Sequence, residues 1–218
     1  DKNIELTTVY MDTKRIDDSL YLESLSKLYK QQFFDRKFDL IIISDNNAFD
    51  FIEKYYDYLF KDTPILFCGI NNYNKNMLEK LNFKNISGVA EEVDIEKNFE
   101  LISKLHPNLK SLLIINDTSI TGYAVKKDLA KIIEKYKKRF NIEYTDNLDI
   151  SDLKTKVSKL EKSNSAILFV LLFKDTTGQY FTYKQSFEEV KKVSQVPIYG
   201  FWDFYLNSGM VGGLLTSA

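Results

Sequence analysis

The sequence predicts an α/β chain of two doubly wound, Rossmann-like lobes with parallel sheets. Three observations carry that expectation. Short β-branched apolar runs alternate with longer amphipathic stretches along the whole chain. The rhythm runs twice, once before and once after about residue 92. The length of 218 residues suits two lobes of roughly 100 residues each. Strands that alternate with helices pair in parallel and are covered by their crossover helices. A single large open sheet is the alternative arrangement of the same elements.

Taken in order, Ile4–Tyr10 (IELTTVY) reads as a strand. Ser19 is placed to cap a helix to about Asp35, with Leu22, Leu25, Leu28 and Tyr29 along one face. Leu40–Ser44 is an unbroken apolar run, which predicts a strand covered on both faces. A helix over Asn47–Phe60, a strand over Pro64–Cys68, a short helix near Asn76–Leu81 and a brief strand over Ile86–Val89 complete the first half. In the second half Asp94 caps a helix over Ile95–Leu105, closed by Pro107. Ser111–Asn116 is a strand, and Thr118 or Ser119 caps a long helix to about Arg139 whose Lys-rich side reads as a solvated face. A strand over Ile142–Tyr144, a helix capped by Ser151, a buried strand over Ala166–Leu172, a helix over Tyr183–Ser194 and a strand over Pro197–Tyr199 complete the second half. With 3 Pro and 8 Gly, no long flexible linker interrupts the chain.

Composition narrows the function classes. Lys+Arg is 30 and Asp+Glu 31, a net charge of −1, so a strongly basic nucleic-acid binder is excluded and no nucleic-acid partner is expected. A single Cys and a single His argue against a disulfide framework, a Cys/His metal site and a Ser-His-Asp triad. The longest apolar run, Ala166–Phe173, is strand-sized, well short of the ~20 residues that span a bilayer. Residues Asp1–Glu5 do not resemble a signal peptide, so the chain is either cytosolic or a soluble piece of something longer. The phosphate-cradling pattern GxxxxGK[ST], a GxGxxG turn and the GxSxG nucleophile elbow are all missing, so neither catalysis nor a cofactor or metal is expected.

In open α/β sheets ligands sit at the carboxyl ends of the strands. The corners there are Asp45-Asn46-Asn47, Gly69-Ile70-Asn71-Asn72, Asp117-Thr118-Ser119-Ile120-Thr121-Gly122, Lys174-Asp175-Thr176-Thr177-Gly178 and Phe201-Trp202-Asp203. Asn, Asp, Ser and Thr also simply cap helices and close turns. Five polar or aromatic corners on the same edges nonetheless favour a ligand cleft. Trp202 reads either as a stacking surface for a flat ligand or as a core residue at a lobe junction. Asp117 at a helix N-terminus would favour an amine, and the helix end itself an anion. Cys68 reads as a buried structural thiol and His106 as a surface residue.

Several segments in fixed order carry a resemblance: Met11-Asp12-Thr13-Lys14-Arg15, Lys37–Ala48, Leu59–Asn71, Ile86–Glu91, Asn116–Gly122 and Tyr199–Gly213. Together they resemble the substrate-binding-protein-like sensor domain found outside the membrane in bacterial histidine kinases and diguanylate cyclases. That domain is similar to the ABC-transporter substrate-binding family of the type I periplasmic binding fold. The resemblance implies a first lobe over 1–90 plus 204–218, incomplete at both chain ends, and a second lobe over 93–198. It implies a hinge near 88–92 and 199–203, with Gly88, Val89, Glu91, Tyr199 and Gly200 at the crossing. The contacts it implies for a small-molecule ligand are Asp45, Asn46, Asn71 and Asn72 from the first lobe, Thr118, Ser119, Thr121 and Lys174 from the second, and Trp202 and Asp203 at the junction. The amino acid, purine and small carboxylate classes all stay open. The function implied is that of a non-enzymatic extracytoplasmic sensor, with flanking membrane segments in the full protein and a homodimeric state as a common form. A solute-binding protein of an ABC transporter is the alternative, and an enzyme on a doubly wound fold the third reading.

Overall fold

A computed structural model describes residues 4–16, 18–71, 73–81 and 83–217. Two parallel sheets organise them. The first is β1 (Ile41–Ser44), β2 (Ile65–Asn71) and β3 (Ile86–Glu91), in the order β1-β2-β3. It is served by α1 (Ser19–Gln32), α2 (Asn46–Leu59) and the short α3 (Lys75–Glu79). The second sheet is β4 (Ser111–Ile115), β5 (Asn141–Thr145), β6 (Ser165–Phe169) and β7 (Ile198–Gly200), in the order β5-β4-β6-β7. Its helices are α4 (Ile95–Leu105), α5 (Ile120–Tyr136), α6 (Ile150–Ser158) and α7 (Tyr183–Val193). A 3-10 turn over Asp203–Ser208 comes after β7. The predicted class, two doubly wound parallel-sheet lobes, is what the chain adopts.

Local chemistry starts most helices where polar residues can take up free N–H groups. Asp94 accepts from the amide of Lys97, and Ser119 from that of Gly122. Thr182 and Gln185 form a reciprocal capping box at α7. Two caps differ from expectation. Asp18, not Ser19, accepts from the Tyr21 amide, and Asp149, not Ser151, accepts from that of Asp152. In both cases a carboxylate just upstream competes with the serine and wins the cap.

Two strand expectations fail for one reason. Residues 4–10 form no strand: Ile4, Leu6 and Tyr10 are exposed, and no neighbouring backbone pairs with them among the described residues. Correspondingly β1 is not covered on both faces, because Ile42 is 64 % exposed while Ile43 on the opposite face is 6 % exposed. Leu66 and Val89 continue that open face at 40 % and 72 % exposure. The first lobe's core therefore lies on one side only, around Phe49, Ile52, Tyr56, Phe67 and Ile70. The second lobe's sheet is packed on both sides: every residue of β6 is buried, as are Leu112–Ile115 of β4.

The chain end also corrects an expectation. The segment after 204, expected in the first lobe, packs on the second. Tyr205 stacks on Phe187 at 5.1 Å and meets Phe169 edge-on at 5.2 Å. The amide of Val211 donates to the Ile198 carbonyl at 2.9 Å, and that of Gly200 to Gly212 at 3.2 Å. The segment continues directly from β7, and its nearest uncovered apolar surface is the edge of the second core. The crossing from β3 into α4 joins the lobes, and Thr216, from the chain end, touches that connection: its Oγ1 donates to the Glu92 carbonyl at 2.7 Å.

Candidate functional site

The strand ends of both sheets face one cavity of about 400 Å³. Ser44 and Asp45 come from the end of β1, Cys68, Gly69 and Asn71 from β2, and Ala90 and Glu91 from β3. Across from them stand Thr121 on α5, Leu171 beyond β6, Tyr183 on α7, and Trp202 and Phe204 beyond β7.

The first lobe's wall is built by an unusual strand end. Gly69 sits at φ +66°, which glycine adopts without penalty, and the register with β3 shifts there. β2 thereby runs on to Asn71, past the corner where the sequence predicts its end. Asn46 holds this extension by its side chain. Its Nδ2 donates to the Asn71 carbonyl at 3.1 Å, and its Oδ1 accepts from the Asn71 amide at 3.0 Å. Asn46 therefore positions backbone and has little left to offer a ligand. Asn71 lines the cavity, and its side chain bonds the Glu91 carboxylate. Asn72 lies outside the described residues.

Glu91 links this wall to the junction. Its carboxylate accepts the Trp202 indole N–H. Burial pushes the Glu91 pKa up, the Trp202 hydrogen bond opposes that shift, and the nearby charge of Asp45 adds to it. A carboxyl whose folded pKa stands above its unfolded value contributes stability that is full below the unfolded pKa, about 4.3, and lost as pH rises through the folded one. Glu91→Gln keeps an acceptor for Trp202 and removes the charge. It is expected to be more stable than the native chain at neutral pH, with the gap closing as the pH falls towards about 4, as read by urea denaturation at both ends of that range.

Trp202 is 4 % exposed. It lies parallel to Phe204 at 6.1 Å and edge-on to Phe201 at 5.9 Å. Both readings of this residue hold at once: it is core, and one margin of it lines the cavity. Tyr183 enters from α7, and burial together with Asp45, Glu91 and Asp117 drives its hydroxyl pKa well up, so it stays a neutral donor.

Asp45 and Thr121 face each other across the cleft, and Lys14 lies between them. Its Nζ is 2.6 Å from Asp45 Oδ2 and donates to Thr121 Oγ1 at 2.9 Å. Asp45 itself sits at φ +79°. Asp117 does not reach out to a ligand amine. Its Oδ2 accepts from the Phe173 amide at 2.6 Å and its Oδ1 from the Ser119 amide at 2.9 Å. Burial raises its pKa and these bonds oppose the shift.

Four more of the expected contacts are placed elsewhere. Thr118 is exposed and does not line the cavity, and Ser119 is occupied as the cap of α5. Lys174 is exposed and pairs with Tyr180 in an isolated antiparallel bridge. Asp203 opens the 3-10 turn away from the lining. Conversely Lys14, Glu91 (expected at the hinge) and Tyr183 are cleft residues that the corner rule passes over.

The expected hinge residues lie in strands. Gly88, Val89 and Glu91 belong to β3, and Tyr199 and Gly200 to β7. Gly88 is there for close approach: a Cβ would fall 2.1 Å from the Phe67 carbonyl oxygen. His106 is not purely a surface residue, since its Nε2 is 2.8 Å from the Tyr199 hydroxyl, and Cys68, expected to be buried, is exposed on the cavity wall because it lies on the open face of β2.

Comparison with known proteins fits this architecture. Among solved structures the chain is similar to a conserved domain protein from Vibrio cholerae O1 biovar El Tor, with TM-score 0.58 and 16 % identity over 88 % of this chain and 63 % of that one. It is similar to an ABC domain in complex with L-Trp from Streptococcus pneumonia, with TM-score 0.57 and 18 % identity over 88 % of this chain and 62 % of the other. A ligand-free, open structure of a substrate binding protein with adhesive properties from Clostridium difficile gives TM-score 0.51 and 20 % identity over 81 % and 57 %. The chain spans about three-fifths of the length of these structures. At such identities the likeness is one of fold. No curated protein matches the chain. The profile of the ABC transporter substrate binding protein family matches residues 20–213, taking in both sheets and nearly every wall of the cleft, so the chain belongs to that family.

Proposed function

We propose that the chain binds a small molecule in the cleft between its lobes and acts as the extracytoplasmic sensor part of a membrane-bound signalling protein. The observation that carries the binding reading is the convergence of strand ends from both sheets on one cavity with polar groups on each wall. A ligand touching both walls binds the closed arrangement better, and that difference in affinity shifts the balance between open and closed lobes. Function then lies in binding rather than turnover. The sensor role rests on the order of corner motifs, and the amino-acid class gains support from the L-Trp held by the streptococcal neighbour. A Trp, a Tyr and carboxylates around the cavity suit a flat ligand that carries an amine. No described helix is long and apolar enough to cross a membrane.

A second reading, delivery of a solute to an ABC permease, is favoured by the family assignment itself. A thermal-shift screen against aromatic amino acids, purines, small carboxylates and sugars tests the shared part. A ligand at a hundred times its Kd adds about 2.7 kcal/mol, a rise of several degrees. Silence across the panel would count against the cleft as drawn. Deleting the gene separates the two readings. A sensor predicts lost transcriptional or cyclic-nucleotide response with unchanged uptake of the labelled ligand, and a transport component predicts lost uptake.

A further inference from the structure

Lys14 stands just before α1 and makes a contact shared by both lobes. Its ammonium meets the Asp45 carboxylate of the first lobe at 2.6 Å. It donates to the Thr121 hydroxyl of the second at 2.9 Å. It also lies 5.1 Å from the centre of the Phe173 ring, again in the second lobe. These partners supply what a primary ammonium seeks: an opposite charge, a neutral acceptor and the negative face of an aromatic ring. They are firmly held. Phe173 is 1 % exposed, and its amide is fixed by Asp117; Thr121 is 6 % exposed on the first turn of α5. The other carboxylate oxygen of Asp45 is buried with no hydrogen-bond partner among the described residues, so the seat has an acceptor to spare. The charge of Lys14 also acts favourably on Glu91 and Asp117, which makes it the counter-ion of an acidic cleft.

We propose that Asp45, Thr121 and Phe173 form an ammonium subsite, which the chain's own Lys14 fills and thereby latches the lobes, and which a primary ammonium from outside can take over. This rests on reading the cleft as a ligand site. It adds that the ligand carries a primary amine and exchanges places with Lys14. A ligand without one leaves Lys14 seated.

The test needs no natural ligand. In the 218-residue chain, Cys68→Ser removes the one thiol of this sequence. Spin labels are then placed at Glu53→Cys on α2 and Thr155→Cys on α6, both exposed positions. Double electron–electron resonance reads the distance between lobes. Lys14→Ala is expected to shift the distribution to longer separation, and Lys14→Met, which keeps an apolar stem, to do the same. Added n-propylammonium replaces the atoms lost in Lys14→Ala and is expected to restore the native distribution. n-Propanol, of matching shape and no charge, is expected to restore nothing, and adding Asp45→Asn to be fatal to the rescue. Unchanged separation in both Lys14 variants, with native circular dichroism, overturns the latch. Opening without rescue, or equal rescue by the alcohol, overturns the ammonium subsite. Neither result depends on the thermal-shift panel, so a wrong ligand class and a wrong subsite give different outcomes.

Discussion

Trp202→Ala is expected to destabilise the chain by about 3–5 kcal/mol, and not merely to weaken ligand binding. The sequence leaves Trp202 open between a stacking surface and a core residue, and the structure gives it a core role. The side chain is 4 % exposed, belongs to the second lobe's core and packs between Phe201 and Phe204. Truncation opens a void and also takes the indole N–H away from the half-buried Glu91 carboxylate. Urea denaturation followed by circular dichroism reads the loss. Trp202→Phe separates the two contributions. It keeps an aromatic face towards Phe204 and gives up only the hydrogen bond and part of the volume, so its cost should be about 1–3 kcal/mol. A loss below about 1 kcal/mol in the alanine variant would show that Trp202 is not part of the core. Because it is the one Trp in the chain, its native emission is also a direct reporter of anything entering the cleft.

Asp117→Ala carries the second large expected effect, about 2–5 kcal/mol. The carboxylate is 2 % exposed and gives one oxygen to the Phe173 amide and the other to the Ser119 amide. It thereby ties the loop after β4 to the segment after β6. Alanine leaves two backbone donors without that acceptor, each worth about 1–3 kcal/mol. The amide resonances of Phe173 and Ser119 should move with the stability change, since those two donors change partner. If the denaturation midpoint stays within error of the native chain, the tie does not hold the lobe. This variant should also disturb Lys14, whose ammonium leans on the ring of Phe173.

The second lobe was largely legible in the sequence. Its strands are runs such as SLLII and SAILF, apolar enough to be buried on both faces, and α4 starts at the expected Asp94 and ends at the expected Leu105. Legibility fell where local pattern and tertiary context part. The alternation in residues 4–10 is that of a strand, but a strand exists only with a partner, and none is present beside it among the described residues. The apolar run in β1 gives no sign that one of its faces is open. A Gly after Cys68 looks like a strand end, whereas at φ +66° it makes a bulge that β2 passes through.

The cleft shows the same division. Asp45, Asn71, Thr121 and Trp202 line it, and each lies in the corner at the carboxyl end of a strand, where the sequence rule looks for contacts. Thr118, Lys174 and Asp203 satisfy the same rule but are placed in a helix start, a bridge and a turn. Lys14 does not satisfy it, because it reaches the cleft from a segment outside any strand. Glu91 was hidden by two residues of extra strand beyond Val89. A hint did exist in Met11–Arg15, a cation-bearing stretch set between two regular segments, but spacing alone cannot say which carboxylate such a lysine will meet.

The open face of the first sheet makes the two walls of the cleft mechanically unequal. The second wall is backed by a sheet packed on both sides, while the first is backed by a core on one side only. Sub-global opening tracks buried apolar contact, so amides of β1 and β3 are expected to exchange with solvent long before those of β4 and β6. A guest of the proposed kind would press a compliant surface against a stiff one. Part of its binding energy would go into quieting the first lobe, so such a guest would alter how much that lobe fluctuates as well as where it sits.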